Sequence, residues 1–304
     1  MSRMKTVKQF LKTTPLYPVY HRIRRKAKQR AILREYVVDH RYPKESGVNL
    51  TEQRERKVIL SLTSFPERIP YVHKAICSML HQTYKPDMVI LWLAEPQFPD
   101  REKALPRKLL SLCKYGLTIR WVEKDIRSYK KLIPARREFP EDIIVTADDD
   151  MYWPVDHLAK LISSLEERPD EIHCHLLTRI CFENGSFGTM KRSKEMHGSS
   201  RYGNKLVGVG GVAYPPHCLD TEVLNEKAFL ELAPTNDDVW FWAMAIKNGT
   251  KIHWIEDPED SILHVEGTQE KTPCLNKKNF AGERLFKEQL NAVIERYSLA
   301  QRIE

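Results

Sequence analysis

The chain has 304 residues, 41% hydrophobic and 30% charged, and carries a formal net charge of +8; that balance fits an ordinary globular protein and excludes a disordered chain or a membrane spanner. The charge is uneven: residues 1–50 hold 13 Lys/Arg and 3 Asp/Glu, a net +10, which leaves the remaining residues at −2. The sequence therefore describes a basic arm, residues 1–50, attached to a slightly acidic body, residues 51–304, long enough to bury a substantial core.

In the arm, Met4, Val7, Phe10 and Leu11 fall at helical spacing with Lys5, Lys8 and Lys12 on another face, the pattern of a small basic amphipathic helix. Pro15 and Pro18 interrupt it, and a second basic helical stretch runs from Tyr20 to Tyr36. Such an arm reads as a solvated charged face, as an attachment to an anionic membrane surface at about 1 kcal/mol per basic residue, or as a nucleic-acid contact. With the charge confined to one segment, the membrane surface is the expected partner and nucleic acid is not.

Beyond residue 50 apolar runs alternate with helical periodicity. Lys57 to Ser64, Met88 to Leu93, Thr118 to Val122 and Asp142 to Ala147 read as strands. Ile69 to His81, Leu105 to Tyr115 and Lys130 to Glu138 read as helices between them. This alternation predicts an α/β body built of right-handed βαβ units, with a mostly parallel sheet flanked by helices and a ligand beyond the carboxyl ends of its strands. Further on, the pattern predicts a helix at Val155 to Glu166, a short strand near Glu171 to His175 and a mobile loop from Asn184 to Lys205. A helix around Asp237 to Asn248, a strand at Lys251 to Ile255 and an amphipathic helix from Gly282 to Tyr297 complete the series.

The six cysteines include no CxxC pair, so neither a zinc knuckle nor a disulfide framework is indicated, and reduced thiols in a cytoplasmic protein are expected. No stretch approaches the ~18 apolar residues of a membrane helix, and no secretory apolar run follows the first charges.

The sharpest chemical feature is Asp148-Asp149-Asp150 at the end of a predicted strand. Three adjacent carboxylates repel one another unless a cation neutralises them, and Mg²⁺ or Mn²⁺ prefers such oxygen ligands shared with substrate phosphates. The plainer reading is an acidic turn capping the next helix. Asp237-Asp238 opens a later helix, where acids complement the dipole; a carboxylate fixed there is also placed to act as a general base. Gly208-Val209-Gly210-Gly211 fits neither a Walker loop nor GxGxxG, and serves either a close backbone approach to a ligand or a packed bend. His264, just past a predicted strand, is a structural histidine or a ligand. Lys130 and Lys131 read as helix-surface cations or as partners of a diphosphate.

In order along the chain, SLTSFPERI, DIRSYKKLIP, IIVTADDD, GVGGVAYPP, PTNDDVWFW and the histidine of SILHVEG resemble the GT-A-fold glycosyltransferases, with phrasing similar to bacterial cell-surface polysaccharide and lipopolysaccharide enzymes. The resemblance spans about residues 56–266. It implies a GT-A, Rossmann-like catalytic domain that moves a sugar from a nucleotide-diphosphate donor, a UDP-sugar first, to a hydroxyl of an envelope glycan or glycolipid. It also implies Mn²⁺ or Mg²⁺ held by Asp148, Asp150 and His264, a base at Asp238 beside Asp237, and a glycine loop at Gly210 and Gly211. Donor contacts would come from Thr63, Ser64, Phe65, Arg68, Asp125, Lys130, Lys131, Asp148 and Asp149. The Asp-Asp-Gly-Ser stretch common after the second strand is replaced by LWLAEPQF, which leaves Glu95 as the base-recognising acid. The enzyme would work in the cytoplasm, held peripherally at the membrane's inner face. The competing readings are a Mg²⁺-dependent nucleotidyltransferase and a non-catalytic membrane adaptor; the first lacks a phosphate-cradling loop, and the second leaves the acidic clusters unused.

Overall fold

A computed structural model describes residues 42–190, 196, 198–255, 263–272 and 284–303. The chain divides into two units, Met1–Arg41 and Tyr42–Glu304. The predicted helices of the arm, Cys274 and part of the predicted loop (191–195 and 197) lie outside the described residues.

Four parallel strands begin the second unit: β1 (Val58–Thr63), β2 (Met88–Ala94), β3 (Leu117–Val122) and β4 (Ile143–Ala147), with helix α1 (Ile69–Leu80) after β1 and α2 (Ile133–Glu138) before β4. The sheet order is β3-β2-β1-β4, then β11 (Val212–Tyr214), β6 (Ile172–Cys174), β12 (Ile252–Trp254) and β9 (Ser200–Arg201). Six of these eight strands run in one direction; β11 and β9 are antiparallel to their neighbours. The expected α/β fold with a mostly parallel sheet is therefore observed. Because β2 and β3 lie on one side of β1 and β4 on the other, the chain reverses its winding between β1 and β4, and a crevice opens at their carboxyl ends.

The parallel strands are apolar on both faces, as burial by flanking layers requires: Val58, Ile59, Leu60, Leu62, Val89, Ile90 and Leu91 are all buried. Helix α3 (His157–Glu167) buries one stripe, and α4 (Glu226–Leu232) precedes α5 (Asp237–Asn248). Helix α5 is buried from Val239 to Ile246, so its apolar character is not confined to one face. It ends at Gly249, left-handed at φ 85°, a usual helix stop. Helix α6 (Arg284–Arg296) presents Phe286, Leu290, Val293 and Ile294 to the core.

Three expectations are corrected. Leu105 to Tyr115 forms single turns at Arg107–Leu110 and Cys113–Tyr115, and the stretch after Asp125 is a 3₁₀ turn, Arg127–Lys131, followed by the short α2. Pro106 and Pro134 withhold the amides that longer helices would need. Within Asn184 to Lys205, the described residues form strands: β8 (Ser186–Met190) pairs with β7 (Leu177–Glu183), and β10 (Asn204–Leu206) pairs with β7 on the other side. The Asn184-Gly185 pair, at φ 53° and 77°, makes the two-residue hairpin turn that Asn-Gly favours.

Candidate active site

The carboxyl end of β1 delivers Thr63 and Ser64, and the turn into α1 delivers Phe65 and Arg68. Ser64 Oγ donates to Asp149 Oδ2 (2.6 Å), and Arg68 Nη1 bridges Asp149 Oδ1 (2.6 Å) and Asp150 Oδ2 (3.0 Å). Arg68 is itself aimed by Nε, which donates to Thr272 Oγ1 at 3.2 Å, and its guanidinium lies 5.4 Å from the Phe65 ring centroid. Thr63 Oγ1 turns away to donate to the Trp92 carbonyl.

The three aspartates after β4 thus divide their work. Asp149 is buried and held by Ser64 and Arg68. Burial pushes its pKa up against the pull of Arg68 and Ser64. Asp150 is also buried and accepts from Gln269 Nε2 (2.7 Å); burial, then the charge of Asp149, push its pKa up to about 7. Asp148 is the more exposed of the three and pairs with Lys131 Nζ at 3.0 Å.

Lys131 is nearly fully buried rather than on a helix surface. The 3₁₀ turn carrying it is clamped to the sheet, because Ser61 Oγ donates to the Lys131 carbonyl (2.6 Å) and accepts from Trp92 Nε1 (2.9 Å). Its ammonium bridges Asp148 and Asp237 Oδ2, both at 3.0 Å, and those carboxylates hold its pKa well above the usual lysine value despite burial. The same turn holds the start of α5: Ser128 Oγ donates to Asp237 Oδ1 (2.9 Å), Arg127 Nη1 to the Pro234 carbonyl (2.9 Å) and the Tyr129 hydroxyl to the Ala233 carbonyl (2.7 Å). From the other side, Gln289 of α6 accepts from the Thr235 amide and Asn236 Nδ2 and donates to Thr235 Oγ1.

Asp238, next on α5, is anchored through one oxygen only. Its Oδ2 accepts from the Gly208 amide at 3.0 Å, while Oδ1 is buried without a hydrogen-bond partner among the described residues. Burial and the charge of Asp237 raise its pKa; Lys131, Lys205 and the Gly208 amide oppose the rise. A Cβ at Gly208 would stand 2.7 Å from both Asp238 Oδ1 and Lys131 Nζ, so any larger residue there displaces one or both of these side-chain ends. Gly210 and Gly211 are packing positions: a Cβ at the first would meet Leu176 at 2.8 Å, and one at the second, where φ is 83°, would meet Trp153 at 2.9 Å. The Gly210 carbonyl is hydrogen-bonded to His157 Nε2.

His264 lies inside a short strand, β13 (Leu263–His264), paired antiparallel with β5 (Met151–Tyr152). That pairing brings Nδ1 to 4.0 Å from Asp150 Oδ2. Farther along the strand ends, Glu95 pairs with Arg101, and Asp125 pairs with buried Lys130 and accepts from Gln97 Nε2. The structure therefore brings Ser64, Arg68, Lys131, Asp148, Asp149, Asp150, Asp237, Asp238 and His264 into one cluster at the strand ends, with Glu95 and Asp125 after β2 and β3.

Sequence reasoning missed Ser128, Gly208, Gln269 and Gln289. The amides and hydroxyls act through contacts distant in sequence and give no local signal. Gly208 was visible in the glycine cluster, but nothing local ranked it above Gly210.

The donor set suits a hard divalent ion. The carboxylates of Asp148, Asp149, Asp150, Asp237 and Asp238 gather around Arg68 and Lys131, and an imidazole stands 4.0 Å from Asp150. Among the described residues no group of three or more His, Cys, Asp or Glu side chains is arranged to hold a metal ion.

No family model and no curated protein matches the chain. Solved structures do. Residues 1–349 of S. aureus TarS align at 14% identity and TM-score 0.44, over 66% of this chain and 58% of that one. A mannosyltransferase, PcManGT from Pyrobaculum calidifontis in complex with GDP-Man and Mn²⁺, aligns at 16% and 0.45, over 81% and 68%. GalNAc-T7 with UDP, GalNAc and Mn²⁺ aligns at 12% and 0.46, over 90% and 57%. The chain spans less than two thirds of the TarS and GalNAc-T7 structures.

Proposed function

We propose that the chain is a metal-dependent glycosyltransferase that takes a sugar from a nucleoside-diphosphate donor, a UDP-sugar heading the candidates, and places it on a hydroxyl of a cell-envelope glycan or glycolipid. The observation that carries this reading is the run of contacts at the β1–β4 switch that joins a cation-bridged aspartate cluster, through Lys131 and Gly208, to a carboxylate with one oxygen that lacks a hydrogen-bond partner among the described residues. The first suits a diphosphate and its counter-ion. The second suits the proton of an attacking hydroxyl.

Mn²⁺ or Mg²⁺, held by Asp150 and His264 with Asp148 beside them, would stabilise charge developing on the departing diphosphate. Arg68 and Lys131 fix the acids in place and supply positive charge at the strand ends, where the phosphates would lie. In an inverting transfer, Asp238 Oδ1 takes the acceptor's hydroxyl proton as that oxygen bonds to the anomeric carbon. The bond from that carbon to the diphosphate oxygen breaks, and the diphosphate leaves with the electron pair. With Oδ2 tied to the Gly208 amide, Asp238 needs little reorganisation to accept the proton.

Thermal melting with UDP-glucose, UDP-galactose, UDP-N-acetylglucosamine and GDP-mannose, each with and without Mn²⁺, tests the binding half, since a ligand specific to the native state raises Tm by mass action. One nucleotide sugar is expected to raise Tm only with Mn²⁺, and Asp150→Asn to abolish the rise. Asp238→Asn is expected to keep the rise while losing turnover by 10²-fold or more, on the order of a general-base contribution. No rise with any donor would overturn the proposal.

A further inference from the structure

The two buried aspartates after β4 share one cation. Arg68 Nη1 lies 2.6 Å from Asp149 Oδ1 and 3.0 Å from Asp150 Oδ2, and all three side chains are buried. The other oxygen of Asp149 accepts from the Ser64 hydroxyl. Asp150 Oδ2 also accepts from Gln269 Nε2 at 2.7 Å and has His264 Nδ1 at 4.0 Å. Arg68, Gln269 and His264 therefore converge on a single carboxylate oxygen, on the side of Asp150 that faces the imidazole.

The guanidinium is built into this place rather than draped over it. Its Nε donates to Thr272 Oγ1 (3.2 Å), Thr272 Oγ1 donates in turn to the Thr268 carbonyl (2.6 Å), and the Phe65 ring centroid lies 5.4 Å from Cζ. A planar cation with donors in fixed directions serves both acids at once. Lys131 does not share this role, since its ammonium bridges Asp148 and Asp237.

A divalent ion and a guanidinium are like charges drawn to the same lone pairs. On one carboxylate oxygen in a buried site they repel strongly, because little water lies between them to screen the charge. Gln269 is neutral and yields without that repulsion. We infer that Arg68 is an internal competitor of the divalent ion at Asp150: guanidinium and metal take this carboxylate in turn, so Arg68 sets how tightly the site holds a metal. This rests on the reading of Asp150 and His264 as metal ligands and adds a control that the acids alone do not have. Displaced from Asp150, Arg68 keeps Asp149 and Thr272 and has donors left for an anionic group such as a diphosphate.

Mn²⁺ alone, without nucleotide, is the probe. Its affinity for the full chain near neutral pH is read from the free-ion EPR signal for wild type, for Arg68→Met, and for Arg68→Met combined with Asp150→Asn. Competition makes Arg68→Met bind Mn²⁺ more tightly than wild type by about tenfold or more, within the usual range for coupled occupants, and Asp150→Asn removes the gain. An arginine that only braces the acids gives equal or weaker binding in Arg68→Met, and that result overturns the inference, as does a gain that survives Asp150→Asn. Arg68→Gln, which keeps an N–H donor without the charge, replaces Arg68→Met should the latter not fold, with the same expectation and the same overturning result. No sugar takes part, so failure here leaves the donor melts to decide the transferase reading, whereas absence of turnover with every donor would leave the competition intact.

Discussion

At the scale of single residues, the crevice depends on one position where a side chain has no room. Gly208 lies between Asp238 Oδ1 and Lys131 Nζ, each 2.7 Å from where its Cβ would stand. Both groups are ends of long or rotatable side chains, so they can yield without rupturing the core, but yielding breaks the Lys131 bridge and the Asp238 anchor. Gly208→Ala is therefore expected to fold with a Tm lowered by only a few degrees, about 1 kcal/mol of stability, while donor turnover falls by 10²-fold or more, the scale of a base moved about 1 Å. A melting curve beside a turnover assay separates the two effects; unchanged turnover would show that the Lys131–Gly208–Asp238 geometry is not used. The neighbouring Gly210 and Gly211 answer to Leu176 and Trp153 instead. A cluster of glycines in a sequence announces crowding without saying which one crowds the chemistry.

At the scale of elements, the pairing of β6 with β12 sets His173 directly beside His253, their rings 5.1 Å apart. His173 is fully enclosed, bonded through Nδ1 to Ser164 and through Nε2 to the Arg168 carbonyl, and burial pushes its pKa down to about 4. An unfolded histidine titrates near 6.5, so between about pH 6.5 and pH 4 the unfolded chain binds the extra proton, and stability falls as the pH drops through that window. The loss at the acid end is on the order of 3 kcal/mol. Urea unfolding across pH 7.5 to 4.5 should show this slope, and His173→Gln should flatten it; equal slopes in the two proteins would assign the acid sensitivity to other groups. The elements themselves were largely legible: β1, β2, β3, β4, α1, α3, α5, β12 and α6 all form within a few residues of their predicted places. The misses share a cause. From Lys130 to Glu138 the helical pattern holds only for Ile133–Glu138; the form of the preceding turn was decided by Ser61, Tyr129 and Arg127, which tie it to β1 and to the loop before α5. In 184–205 polar composition suggested a loop, yet the Asn-Gly turn and the two edges of β7 give Ser186–Met190 and Asn204–Leu206 backbone partners.

At the scale of the whole molecule, the charge divides between a basic arm and a slightly acidic body. Residues 1–41 hold 12 Lys/Arg and 2 Asp/Glu. Residues 42–50 go with the body: the Gly47 amide donates to the Tyr115 carbonyl (2.8 Å), the Asn49 amide donates to the Pro86 carbonyl (2.8 Å), and Gly47 lies so close to Leu80 that a Cβ there would clash at 2.6 Å. A deletion that tests the arm should therefore stop at Arg41. If the arm holds the enzyme to anionic lipid, full-length protein will sediment with phosphatidylserine-containing vesicles at low salt and be released as salt rises, and the chain from residue 42 will stay in the supernatant. Equal sedimentation of both proteins would end the anchor proposal. No helix among the described residues is long and apolar enough to cross a membrane.

The sequence by itself determined the separation of basic arm from acidic body, the alternating elements of a mostly parallel sheet, and the position of three aspartates at the end of a strand. Those are local properties, set by side-chain type and by periods of about two and 3.6 residues. Only the tertiary structure decided that Arg68 bridges Asp149 and Asp150, that Lys131 is buried between Asp148 and Asp237, that His264 reaches Asp150 through the β5–β13 pair, and that the Gly208 amide holds Asp238. Each of those facts joins segments tens of residues apart, and each concerns charge, whose meaning depends on what surrounds it. The same lysine is a solvated cation on a helix surface and a fixed counter-charge inside a crevice, and only the packed fold selects between them.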